Sequence, residues 1–86
     1  MKIKIKHFSL EDFREGDLFG FGRKSRCFIV EERDGELFAI DQEGYGGKLE
    51  TIINTSKELS NIYNRIYLFG NINENKGKDI KEEYGF

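Results

Sequence analysis

Residues 20–26, Gly-Phe-Gly-Arg-Lys-Ser-Arg, place two glycines ahead of three cations, a composition suited to gripping a phosphate. A dinucleotide loop needs G-x-G-x-x-G between a strand and a helix, so that backbone N–H groups and the helix N-terminus meet the pyrophosphate. Ser25 stands where the third glycine belongs, and the residues that follow read as a strand. A P-loop needs Gly-Lys-Ser/Thr, but Arg23 precedes Lys24 and Ser25. Both nucleotide loops are therefore excluded. What remains is a hairpin loop displaying Arg23, Lys24 and Arg26 beside Phe21. Such a set suits contact with a nucleic-acid backbone or another polyanion, with the aromatic ring available for stacking. The ordinary alternative is a tight turn with surface charge.

The carboxylates form the second set. Glu31, Glu32, Asp34, Glu36, Asp41, Glu43 and Glu50 lie on or beside one stretch. Metal binding would need their oxygens to converge at loop spacing, whereas adjacent strand positions point to opposite faces. Acid–base catalysis would need two carboxyls in a cleft with separated pKa values, and so small a chain has little room for one. An acidic strip that meets a basic protein surface, such as one that normally holds nucleic acid, fits better. The plain alternative is solvated charge. Tyr45, in the glycine-rich stretch Glu-Gly-Tyr-Gly-Gly-Lys (43–48), suits a protein interface, where tyrosine is over-represented.

Single residues add little chemistry. His7 has no Cys or Asp nearby to orient it, and no serine sits in a nucleophile elbow. With one Cys and one His, a Cys/His zinc site within one chain is excluded. Cys27, inside Arg-Cys-Phe-Ile-Val, reads as a small core hydrophobe. No enzyme, cofactor or metal is expected.

The elements that must carry these residues are short. Lys2–Phe8 alternates in period two and reads as a strand. Ser9 is a candidate N-cap for one or two helical turns, with Leu10 and Phe13 facing the core. Strands follow at 17–21 and 26–33. Asp34-Gly35 is the strongest hairpin signal, because both turn residues tolerate positive φ, and 36–42 is the return strand. That turn fixes a register pairing Arg33 with Glu36, Glu31 with Phe38 and Ile29 with Ile40. One hairpin face then carries Ile29, Phe38 and Ile40, the other Phe28, Val30, Leu37 and Ala39. Both faces are apolar, so something must cover each: a second element or a partner. Residues 43–48 read as a loop and 49–55 as a strand. Thr55 and Glu58 form a capping box for a helix over about 56–65, and 66–72 is the last strand. Residues 76–86 read as a polar tail, with Ile80, Tyr84 and Phe86 able to dock.

An 86-residue chain makes one small domain, expected over residues 1–75, and buries only about 60% of its unfolded surface. The N-terminus lacks the apolar run of a signal peptide, and no stretch approaches the roughly 20 apolar residues of a membrane span. A cytoplasmic protein without a membrane partner is expected. Net charge is only −2, yet residues 1–30 hold seven Lys/Arg against four Asp/Glu, and residues 31–50 hold seven acids against two bases. A global nucleic-acid footprint is absent. Short strands with glycines at the corners predict a mainly β (α+β) fold: a small SH3-like, partly open β-barrel with a short helix before its last strand.

Three blocks carry a family resemblance. Glu-Gly-Asp-Leu-Phe (15–19), Val-Glu-Glu-Arg-Asp-Gly-Glu-Leu-Phe (30–38) and Gly-Asn-Ile-Asn-Glu-Asn (70–75) resemble the barrel opening, central hairpin and closing block of YopX-type proteins. The resemblance spans about residues 15–75. Lys76 stands where that family's closing block is typically followed by proline, and the N-terminal region is shorter. It implies an SH3-like barrel and a phage or prophage origin, but no catalytic residues. The expected function is a non-enzymatic module that engages a host or phage protein, with interference in a host nucleic-acid or defence machine as its specific form. Nucleic-acid binding through the basic loop and self-association through the Lys2–Lys6 edge are the alternatives.

Overall fold

A computed structural model describes the backbone of residues 3–5, 10–20, 27–58, 66–74 and 77–86, and their side chains except those of 3–5, 55–58 and 78. Six strands form one antiparallel sheet: β1 (Ile3–Ile5), β2 (Asp17–Gly20), β3 (Cys27–Arg33), β4 (Glu36–Asp41), β5 (Gly46–Lys48) and β6 (Ile66–Asn71), in the order β1-β6-β2-β3-β4-β5. A 3-10 turn spans Leu10–Asp12, and two helices, α1 (Leu49–Glu58) and α2 (Gly77–Glu83), complete the described elements. The fold is mainly β. The sheet is not closed: β1 and β5 are its free edges.

The β3–β4 hairpin has the predicted register, with Arg33 opposite Glu36, Glu31 opposite Phe38 and Ile29 opposite Ile40. Asp34 at φ 53° and Gly35 at φ 80° make its turn, the left-handed pair that matches the twist of the flanking strands.

The inner face of this hairpin is covered by α1; on the outer face α2 packs on β6 and the residues after it reach Ile29, while Ile29 and Ile40 also border an open cleft. On the inner face Phe19, Phe28, Val30, Ala39 and Ile66 form the main core with Phe13 and with Leu49 and Ile53 of α1. Phe19 sits between two rings, 5.1 Å from Phe13 edge-on and 5.4 Å from Phe28 in a stack. On the outer face Leu18, Cys27 and Phe69 gather Ile29, Tyr67, Ile80, Tyr84 and Phe86. The stretch read as a polar tail thus contains α2, and the three side chains picked as able to dock do so. Tyr84 stacks on Phe69 at 4.3 Å. The Gln42 amide nitrogen donates to the Tyr84 carbonyl, and its oxygen accepts from the Cys27 amide.

A bulge interrupts the pairing of β2 with β6. Leu18 pairs with Gly70 and Phe19 with Leu68, leaving Phe69 as the extra residue, which bends the strand. Gly70, at φ 154°, lies where a Cβ would come within 2.8 Å of Ile80 Cδ1. Its missing side chain is what lets α2 sit so close to the sheet.

Three local expectations are corrected. Residues 49–55 are helical rather than a strand. Their Thr and Ile content favours strand by propensity, but Leu49, Ile52 and Ile53 recur at i, i+3, i+4 and bury one helical face, and packing overrides propensity. Of the helix expected over 56–65, residues 59–65 lie outside the described residues. Gly46–Lys48 is not loop but a short edge strand paired to β4. Leu10, at the start of the 3-10 turn, is exposed, while Phe13, just past its end, is buried. Among the described residues no helix is long and apolar enough to cross a membrane.

Candidate functional site

The acidic residues are divided by β4, which is six residues long, roughly 20 Å at strand rise. Glu31, Glu32, Asp34 and Glu36 lie toward the turn end. Asp41, Glu43 and Tyr45 lie at the other end, where β4 passes to β5.

At the turn end two acids are already paired. Glu31 takes a two-pronged contact from Arg33, at 3.1 Å from Nε and 3.2 Å from Nη2. That hydrogen bonding, and then the charge, raises the Arg33 pKa above its ordinary value. The same guanidinium lies 5.5 Å over the Phe38 ring, shielding that outer-face aromatic. Glu36 meets Lys48 Nζ across the β4–β5 pair at 3.2 Å. Asp41 is structural: its Oδ1 accepts from the amides of Glu43 at 2.9 Å and Tyr45 at 3.0 Å, turning the chain into β5.

The carboxylates of Glu32, Asp34 and Glu43 are exposed and take no ion pair among the described residues. Tyr45 is 72% exposed on a backbone that Asp41 holds. Of the seven predicted interface residues, then, Glu32, Asp34, Glu43 and Tyr45 are free to meet a partner. Phe21, Arg23, Lys24 and Arg26 of the basic loop lie outside the described residues. Gly20, which precedes them, pairs with Cys27 and Tyr67 within the sheet.

Sequence reasoning missed two features. The first joins the blocks at 15–17 and 70–74. Asn71 Nδ2 donates to Asp17 Oδ1 at 2.9 Å and to the Glu15 carbonyl at 3.0 Å. The Asp17 carboxylate also accepts from the Arg14 amide at 2.9 Å, and Asn71 Oδ1 accepts from the Asn73 amide at 2.8 Å. Arg14 reaches across to Glu74. Gly16 lies at φ 90° with Asn71 and Asn73 so close that a Cβ would fall 2.5 Å from Asn73 Nδ2. These residues of the two blocks build one junction, with Asp17 and Asn71 buried at its centre.

The second is a cleft of about 500 Å³ between the outer face of β3–β4 and the end of α2. Half-buried Ile29, Ile40 and Phe86 line it, together with Glu15, Glu31, Asp41 and Lys81. It went unseen because it needs α2 folded back on the sheet. Among the described residues no group of three or more His, Cys, Asp and Glu could hold a metal ion, and the Cys27 thiol is fully buried.

The scan against protein-family models and the searches of curated proteins and of solved structures found no match to this chain.

Proposed function

We propose that this chain is a non-enzymatic binding module of phage or mobile-element type, which engages a host or phage protein through its acidic hairpin. The observation that carries this reading is the set Glu32, Asp34 and Glu43, at the two ends of β4: exposed carboxylates without an ion partner among the described residues, while Glu31 and Glu36 are ion-paired and Asp41 is structural. Acidic surface of this kind is complementary to basic protein surface and steers its approach. A protein that normally holds nucleic acid offers such a surface, so interference with a host nucleic-acid or defence machine is the specific form. Exposed Tyr45 adds an anchor of the type that dominates interface energetics.

The resemblance of blocks 15–19, 30–38 and 70–75 to YopX-type proteins supports the phage origin, action in the host cytoplasm, and a description of the sheet as a partly open, SH3-like barrel with β1 and β5 as its unjoined edges.

The test is affinity capture from a bacterial lysate with the full chain and with an E32K/D34N/E43K variant. Asn is chosen at 34 because it tolerates the positive φ there. The expected outcome is a basic protein held by the native chain and released by the variant. Recovery of the same proteins with both, or of none, rejects the reading.

A further inference from the structure

The cleft on the outer face combines an apolar lining with fixed charges. Its floor is apolar: Ile29, Ile40 and Phe86 converge there, each half-buried. Two carboxylate residues without an ion pair among the described residues, Glu15 and Asp41, stand around it with one ammonium, Lys81, and a third carboxylate, Glu31, is paired with Arg33. Each carboxylate is held in place: Glu15 accepts from the Glu32 amide at 3.1 Å, Glu31 from Arg33, and Asp41 from two loop amides. An ionised carboxylate has about four lone-pair sites, so Glu15 and Asp41 retain acceptor capacity toward the cleft. A volume of about 500 Å³ lies within the roughly 300–1,000 Å³ of ordinary ligand sites.

We infer that this cleft receives an arginine or lysine side chain, with a flanking apolar residue, from an extended segment of the partner protein. Long cationic side chains carry an aliphatic stem and a charged head. The stem lies on Ile29 and Ile40, the Phe86 ring offers its face or edge to the head, and the fixed carboxylates accept its N–H groups. Phosphate groups are disfavoured by the excess of negative charge around the cleft. The inference rests on the proposed protein-binding role and adds the recognition element.

The probe is a pair of short amidated peptides, Ac-LRLRL-NH2 and Ac-LELEL-NH2, titrated into the isotope-labelled full chain and followed by NMR. The basic peptide is expected to shift the Ile29 and Ile40 methyls and the Lys81 amide, while the acidic peptide leaves them unmoved. An E15Q variant should bind the basic peptide several-fold more weakly, the loss of a charged hydrogen bond. Because that variant disturbs the Glu32 amide contact, K81E provides a second check: it removes the one cation lining the cleft and should tighten binding. Unmoved cleft resonances, equal response to the acidic peptide, or weaker binding by K81E overturns the assignment. Shifts confined to Glu32, Asp34 and Glu43 also overturn it, while leaving the acidic hairpin as the binding surface. Those three residues do not line the cleft, so the E32K/D34N/E43K capture fails or succeeds independently.

Discussion

Asn71 donates a hydrogen bond to the carboxylate of Asp17 at 2.9 Å, and the two residues are themselves paired across β2 and β6. They are buried, 3% exposed for Asp17 and 5% for Asn71. Among the described residues no buried side-chain nitrogen or oxygen is left without a partner. The contact pins the ends of two strands that lie far apart in sequence and supports the Gly16 turn between them, where the Ile72 amide donates to the Gly16 carbonyl.

Replacing Asn71 with Ala leaves the buried Asp17 carboxylate short of a donor. The expected loss is about 1–3 kcal/mol, read from urea unfolding. Asp17→Asn should cost less in the Asn71→Ala background than in the native chain, since the partners are coupled. Equal cost in both backgrounds would show that the pair does not act as a unit.

The inner core should depend most on Phe19, which is fully buried between Phe13 and Phe28. Phe19→Ala is expected to cost about 3–5 kcal/mol, a large share of the roughly 5–15 kcal/mol that keeps a protein folded. Phe19→Leu gives a milder loss and a measurable midpoint. Thermal unfolding followed by circular dichroism checks both.

Coverage of the outer face by α2 can be read through Cys27, whose thiol is fully buried in the same cluster as Tyr84 and Phe86. Tyr84→Ala removes the ring stacked on Phe69 and should speed labelling of the thiol by a disulfide reagent severalfold at low denaturant, through local opening. Gly70→Ala should act in the same direction, because its Cβ would press on Ile80. Labelling unchanged in both would mean that α2 does not protect this face.

Asp41→Ala removes the acceptor of two amides in the β4–β5 turn. Hydrogen exchange at Glu43 and Tyr45 should accelerate with little change in global stability, a loss of about 1 kcal/mol at most. Slow exchange at both amides in the variant would assign the turn's order to something else.

How much of this was written in the sequence differs from element to element. The Asp34-Gly35 turn dictates its register through local backbone chemistry, so the hairpin pairing was legible to the residue. Two apolar faces on that hairpin announced two covering layers, and Ile80, Tyr84 and Phe86 were visible as candidates for one of them. Residues 49–55 were misread because branched side chains favour strands in isolation, while the helical spacing of Leu49, Ile52 and Ile53 pays off only against a sheet already formed. The split of the acidic strip followed from the hairpin's length, but the structural use of Asp41 did not, since it depends on the loop's path into β5. The cleft could not be read at all: its walls are 15–16, 29–31, 40–42, 44, 72–73, 81 and 86, brought together only by tertiary folding.

The most direct measurement of the central claim is the affinity of the native chain and of E32K/D34N/E43K for the purified protein that capture yields, at about 0.05 M and about 0.5 M salt. All three positions are exposed, so the substitutions should leave folding stability within about 0.5 kcal/mol. The expected result is native binding that weakens with salt and a variant weaker by at least about tenfold at low salt. Equal affinity of the two proteins at low salt would contradict an acidic hairpin as the surface that engages the partner.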